Sequence, residues 1–262
     1  EANGGMTNSL TRRFNRYGAD PLALTIPASN NTPYASWSDP TSPLYTDTDW
    51  DKEAFQDATM NQFDFNASGG TDKTKFYASI NWLDQEGILV GNRFRKIGGR
   101  VNLDHEATDR ISVGINFSLN QTKNNRLAGD NAFSTPLQMV ALTPFTPPTD
   151  PRTGLTSGAL DPVTGVANTN YPIYYNPLLD VEYNDRLATV WRNFGQIYLN
   201  IKVAEGLKFR TEFGYDLLNQ HEARFFDSHT TRNSGAPNGQ ADDTWTQVFN
   251  YTTNNFLQYT KT

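Results

Sequence analysis

The chain has 262 residues, with 22 Lys and Arg against 28 Asp and Glu, a net charge of −6 and no cysteine. That balance excludes a nucleic-acid partner, whose phosphates demand a basic surface, and the missing thiols exclude disulfide staples and thiolate metal sites. Charged residues make up 19% and aromatics 13%, a mixture that suits β-structure with polar loops better than a helical enzyme. The longest purely aliphatic run is Ile88-Leu89-Val90, far short of the roughly 20 apolar residues that a membrane helix needs. A β-barrel escapes such a scan, because its strands are only half apolar. The first residues carry no signal-peptide pattern.

Residues 1–58 are rich in turn formers and poor in periodicity, and read as an irregular segment with one short helix near Trp50–Asp57. Asp47, Asp49 and Asp51 have the spacing that opens a calcium loop. Lys52 and Ala58 stand where that loop needs Gly and Glu, so the stretch reads as an acidic helix start. The hairpin at 61–86 organises the rest. Phe63, Phe65 and Ala67 alternate with polar residues before the turn, and Phe76, Ala78, Ile80 and Trp82 do so after it. Gly69 and Gly70 are expected to supply positive φ there, and Asp72 to bond the local backbone.

A third strand is expected at 94–105, with Ile97, Gly99, Val101 and Leu103 on one face. The fourth, at 111–122, sets Ile111, Val113, Ile115, Phe117 and Leu119 against Ser112, Gly114, Asn116, Ser118 and Asn120 without a break. The pattern then stops over 123–188. A helix is expected at 132–142, and Asp150–Gly154 and Asp161–Gly165 read as turns, each opened by Asp-Pro and closed by Gly. A loop of this length is usually functional. Strands resume at 189–203 and 207–218. A second polar stretch covers 219–247, and the last strand runs from about 248 to 262.

Short and long connections alternate strictly, so the tight turns gather at one end of the sheet and the long loops at the other. Strands of this length suit a tilted crossing of a bilayer. Phe63, Trp82, Phe94, Trp191, Tyr215 and Tyr259, at or near strand ends, would serve as interfacial girdles. Periodicity thus predicts about seven antiparallel barrel strands in 59–262. It leaves open a soluble or cell-surface β-sandwich that binds glycans or protein, in which a second sheet would cover Ile111–Leu119.

Ala67-Ser-Gly-Gly-Thr-Asp-Lys-Thr-Lys-Phe-Tyr-Ala-Ser79 followed by Leu83-Asp-Gln-Glu-Gly-Ile88 resembles the early barrel of SusC/RagA-type TonB-dependent transporters of Bacteroidetes. Phe94-Arg95, Arg100-Val-Asn-Leu103, Ser112–Ser118, Thr135-Pro-Leu-Gln138, Asn176–Leu179 and Gln258–Thr262 are similar as well. The resemblance implies a barrel of roughly 22 strands around a plug, placed in the bacterial outer membrane and energised by TonB. It implies a SusD-like lipoprotein on the extracellular side and import of oligosaccharides or peptides. Plug and TonB-contacting sequence are missing here, so the resemblance implies an internal piece of a longer chain.

No residue pattern points to catalysis, a metal or a cofactor. His105, His221 and His229 are not spaced as a metal motif. The third alternative, a glycoside hydrolase, would need two carboxylates at catalytic distance. The functional candidates are therefore surfaces. Lys96, Arg100, Asn116, Asn120, Lys208, Arg210 and Glu212 are expected to face the lumen or plug, and Ile111, Val113, Ile115, Phe117 and Leu119 to face lipid. Phe133, Tyr171, Tyr174, Tyr175, Phe225, Phe226 and Trp245 are expected on loops that hold substrate or the lipoprotein.

Overall fold

The computed structural model describes residues 40–43, 45–126, 142, 144, 147–151, 153–168, 176–230 and 238–260. Within them one antiparallel sheet carries seven strands in chain order, each paired with its predecessor. They are β1 Met60–Gly70, β2 Thr74–Glu86, β3 Arg93–Thr108, β4 Ile111–Asn125, β5 Asn184–Ala204, β6 Leu207–Phe226 and β7 Gln240–Tyr259. Two short helices, α1 (Trp50–Ala54) and α2 (Leu178–Tyr183), precede β1 and β5. No second sheet covers the first among the described residues. The expected helix at 132–142 falls almost wholly outside those residues.

Threonines close the tight turns. The Thr71 hydroxyl accepts from the amides of Lys73 (3.3 Å) and Thr74 (3.2 Å), and Thr108 does the same for Arg110 (3.2 Å) and Ile111 (3.1 Å). The local bond expected of Asp72 is thus made by its neighbour. Positive φ falls at Gly91, Gly154, Gly158, Gly165 and Gly206, not at Gly69 or Gly70. Gly70 is needed for room, since a Cβ there would overlap the Thr74 carbonyl oxygen.

The strands run further toward the loop end than apolar alternation indicates. β5 begins at Asn184 rather than 189, β6 continues to Phe226 rather than 218, and β7 begins at Gln240 rather than 248. These extensions carry polar groups on both faces and are held by the backbone ladder plus cross-strand ion pairs. Arg186 reaches Glu222 at 3.1 Å and Arg224 reaches Asp242 at 3.2 Å. Pattern reading looks for one dry face, and a ladder with polar groups on both faces has none. Conversely, α1 is shorter than expected, because Phe55 leaves it to bridge Leu89.

The fully buried large side chains lie at the loop end, not in the sheet: Trp50, Leu179, Asn176, Thr230, Asp150 and Pro177. Trp50 and Ala54 of α1 pack with Leu142, and Leu178 of α2 rests against them. Asn176 ties this assembly together. Its amide donates to the Pro148 carbonyl (3.0 Å) while its Oδ1 accepts from the Leu178 N–H (3.0 Å) at the start of α2. Both Asp-Pro segments are turns. Gly154 and Gly165 each donate to the opening Asp carbonyl at 2.8 Å, and the short bridges Thr149–Thr156 and Leu160–Ala167 flank them.

Candidate functional site

Cross-strand register sorts the side chains into two faces, since residues directly opposite share a face. The apolar face is built in rows. Phe76, Leu103, Ile115, Ile197 and Phe213 form one. Ala67, Ala78, Val101, Phe117, Gly195, Tyr215 and Tyr251 form the next, and Phe65, Ile80, Gly99, Leu119, Asn193, Leu217 and Phe249 the one after. Beyond them, toward the loop end, come Phe63, Trp82, Ile97, Gln121 and Trp191. All five residues expected to meet lipid lie on this face. It is uncovered, with Ile115 42% and Phe65 68% exposed, and that removes the covering sheet a sandwich requires among the described residues.

The opposite face carries a hydrogen-bonded polar network. Ser112 accepts from Asn200 (3.1 Å), whose Oδ1 accepts from Arg210 (3.1 Å), and Arg210 is ion-paired with Glu212. Glu212 accepts from Gln196, and Gln196 from Asn116, each at 3.4 Å. The Arg210 guanidinium also lies 4.0 Å over the Tyr198 ring, and the Tyr198 hydroxyl donates to Asp104 across β4. That crossing is possible because position 114 is glycine, where a Cβ would overlap the ring. Further along, Arg192 holds Asp216 in a bidentate pair at 3.0 and 2.6 Å.

Lys96, Arg100, Asn116, Asn120, Lys208, Arg210 and Glu212 all share this polar face by register, and Asn116, Arg210 and Glu212 meet in one network. Tyr198, Gln196, Asn200 and Arg192 of β5 escaped the sequence reading. The signal was the polar half of β5, whose apolar half alone was followed. The face is not uniformly polar, for Phe194 and Phe256 also stand on it, each about half exposed.

Of the aromatic candidates, Phe133, Tyr171, Tyr174 and Tyr175 lie outside the described residues. Phe225, Phe226 and Trp245 are strand residues rather than loop residues. Register puts Phe225 and Trp245 on the apolar side and Phe226 on the polar side. Trp245 stacks on the His221 ring at 4.0 Å, and His221 in turn bonds Asp243. His229 closes the β6–β7 loop onto the β4–β5 loop. Its ring stacks on Tyr183 at 5.0 Å and bonds Asp227, while its carbonyl accepts from the Leu160 N–H at 2.7 Å. The His229 ring beside it holds the Asp227 carboxyl below its usual range. The Val163 and Thr164 amides, pointing at the Asp161 carboxylate in its turn, lower that group likewise. No cluster of three or more His, Asp or Glu suited to a metal occurs among the described residues.

No family model matches the chain. It is 25% identical over 233 residues to TonB-dependent receptor P3 of Formosa agariphila, a match covering 82% of this chain and 21% of that one. TonB-dependent receptor P26 of the same organism is 26% identical over 192 residues, covering 71% and 18%. The chain therefore spans about a fifth of the length of the curated relatives it matches. Among solved structures, the RagAB peptide importer in the open-open state superposes with a TM-score of 0.69 at 17% identity, covering 97% of this chain and 29% of that one. A second structure of the RagAB peptide transporter gives 0.65 at 20% identity, covering 82% and 24%. Sequence similarity to TonB-dependent receptors and a fold shared with the RagAB structures thus agree, and the SusC/RagA-type resemblance of the residues holds.

Proposed function

We propose that the chain is a stretch of the barrel wall of an outer-membrane, TonB-dependent importer that takes up oligosaccharides or peptides together with a SusD-like lipoprotein. One observation carries the reading: a single sheet with an uncovered apolar face, a bonded polar face, and every long connection at the same end. The apolar rows support a bilayer crossing by their height. From Phe209 to Asn219 is about ten residues, or about 34 Å along a strand, and a tilt of about 40° reduces that to about 26 Å. An outer-membrane barrel has an apolar band of about 25 Å. The rows end at Trp82 and Trp191, where an interfacial girdle belongs.

In this reading Ile111, Val113, Ile115, Phe117 and Leu119 meet lipid. Lys96, Arg100, Asn116, Asn120, Lys208, Arg210 and Glu212 face the lumen or a plug contributed by the rest of the protein, through which TonB acts. The loop end is extracellular, and β5, β6 and β7 stand well above the membrane there. Phe226 on the inner face, with Phe133, Tyr171, Tyr174 and Tyr175 on the β4–β5 loop, is the substrate or lipoprotein contact; on the outer face Trp245, one row beyond Trp191, suits the lipid boundary better, while Phe225 lies three rows beyond it. The similar proteins are named as receptors and transporters, which supports a binding and transport role without catalysis.

Sidedness tests the reading, and the absence of native cysteine in this stretch makes the test simple. Single cysteines replace Val163, which is 82% exposed in the β4–β5 loop, and Glu205, in the β5–β6 turn. In intact cells a membrane-impermeant maleimide is expected to label V163C, and to label E205C only after the outer membrane is opened. Equal labelling of both in intact cells would overturn the topology. Growth on peptides or on oligosaccharides as the limiting nutrient, with and without TonB, then separates the two cargo classes.

A further inference from the structure

We infer that the outer face of β2, β3 and β4 holds one phosphorylated lipid, its phosphate between Arg95 and Lys123 and an acyl chain in the groove below them. The inference rests on the reading that this face meets the membrane. One row beyond Trp82 and Trp191, toward the loop end, register brings Asp84, Arg95, Lys123, Thr189, His221 and Trp245 together. Arg95 and Lys123 are directly opposed, and two like charges facing each other across a strand pair are destabilising unless an anion lies between them.

Asp84, directly opposite Arg95, offsets its charge only in part, and no acid lies opposite Lys123. Arg93 takes both Asp84 oxygens, at 2.8 and 2.6 Å. Glu86, one row further, accepts from the Thr59 hydroxyl at 2.7 Å. On the far side of Lys123 stands Thr189, a neutral donor. Arg95 and Lys123 form no ion pair with another described residue. Their row lies about 7 Å above the tryptophans, the height of the headgroups if those rings mark the interface.

Beneath the cations the apolar face is hollow. A groove of about 560 Å³ is bounded by Phe65, Ala67, Ala78, Gly99, Phe117 and Trp191. Small residues on two consecutive rows make the floor, and the larger rings make the walls. Nothing in the backbone demands glycine at 99: a Cβ there would meet only the Ser79 carbonyl oxygen, at an ordinary 3.6 Å. Its φ is not positive, and glycine inside a strand is unfavourable. The consequence of Gly99 is the groove itself. A phosphate clamp on β3 and β4, with an apolar slot below it floored by Ala67, Ala78 and Gly99 of β1, β2 and β3, follows the order of a lipid's own parts and selects an anionic lipid over a detergent or a free anion.

The test titrates detergent-solubilised full-length protein with phosphatidylglycerol, with diacylglycerol of the same chains, and with inorganic phosphate, read by native mass spectrometry. Phosphatidylglycerol is expected to bind at one site at least about tenfold tighter than either partial ligand, the scale of one charge-assisted contact. R95Q/K123Q is expected to lose that advantage. G99V fills the slot without strain and is expected to weaken phosphatidylglycerol but not phosphate. Equal binding of diacylglycerol, equal binding of phosphate, or unchanged binding in either variant would each overturn the inference. Failure of the membrane reading would register separately, as protein that does not fractionate with the outer membrane.

Discussion

Ile115 and Asn116 are adjacent in sequence and face opposite ways, which makes them the sharpest test of the two-faced wall. Ile115 sits in the middle rows of the apolar face, opposite Leu103 on β3 and Ile197 on β5, and is 42% exposed. If that exposure is to lipid, Ile115→Arg places a guanidinium near the bilayer midplane, at a cost of about 2–4 kcal/mol. If the same face stood in water, the substitution would be an ordinary surface change of about 0.5 kcal/mol or less. Asn116→Arg supplies the control, because it enters the polar face beside Gln196 and loses only a 3.4 Å hydrogen bond, within about 1 kcal/mol. Guanidinium unfolding of the full-length protein in liposomes, followed by tryptophan fluorescence, reads both. A gap of at least about 1 kcal/mol with Ile115→Arg the worse is expected. Equal midpoints at equal slope would refute a lipid-facing apolar surface.

The remaining expectations concern the network and the loops. Gly114→Ala pushes a methyl into the Tyr198 ring and is expected to cost about 1–3 kcal/mol; adding Tyr198→Ala should recover part of that loss in a double-mutant cycle, and simple additivity would deny the contact. Asn176→Ala strands the Leu178 amide in a part-buried site, while the Pro148 carbonyl keeps only its bond from the Ser157 amide at 2.8 Å. It should loosen the loop assembly by about 1–3 kcal/mol, measured as faster limited proteolysis of the β4–β5 loop with the barrel intact. Asp227 has its carboxyl lowered first by the hydrogen bond from His229, so its stabilising contribution is present above the ordinary carboxylate range and disappears as pH falls through the lowered value. Exchange of the Leu160 amide, which bonds the His229 carbonyl, should therefore accelerate below about pH 4 in the wild type and show no such limb in Asp227→Asn.

What was legible in the sequence was the part of the chain with one dry face. Ile111 to Leu119 alternate without exception because each second residue must be apolar there, and the register follows from that requirement. The loop-end extensions were illegible for the opposite reason. At Asn219–Arg224 and Gln240–Gln247 both faces carry polar groups, and the strand persists on ladder bonds and on pairs such as Arg186 with Glu222, which leave no period of two in hydropathy. The network on the polar face was half legible: Arg210 and Glu212 stood out as charges within a strand, whereas Tyr198 belongs to it only because Gly114 lets its ring cross β4. That dependence joins residues 84 positions apart and has no local signature. The loop aromatics were misplaced where a polar stretch was taken for a loop, as at Phe225, Phe226 and Trp245.

The location of the buried residues has a physical consequence of its own. If the apolar face is solvated by hydrocarbon, as proposed, the sheet needs no second layer, and its strands then gain their stability from backbone bonds and from lipid rather than from a protein interior. Residues that stand in water on the far side of the interface lack that support and must bury something themselves. Trp50, Leu142, Leu178 and Leu179 do so, with Asn176 satisfying the backbone they enclose. The chain therefore has two separate sources of order. Detergent exchange acts on the first and should leave the loop assembly packed, while loss of Asn176 acts on the second and should leave the barrel wall in place. A loop assembly that keeps its own interior can present a fixed surface to a lipoprotein or a substrate without borrowing rigidity from the membrane below it.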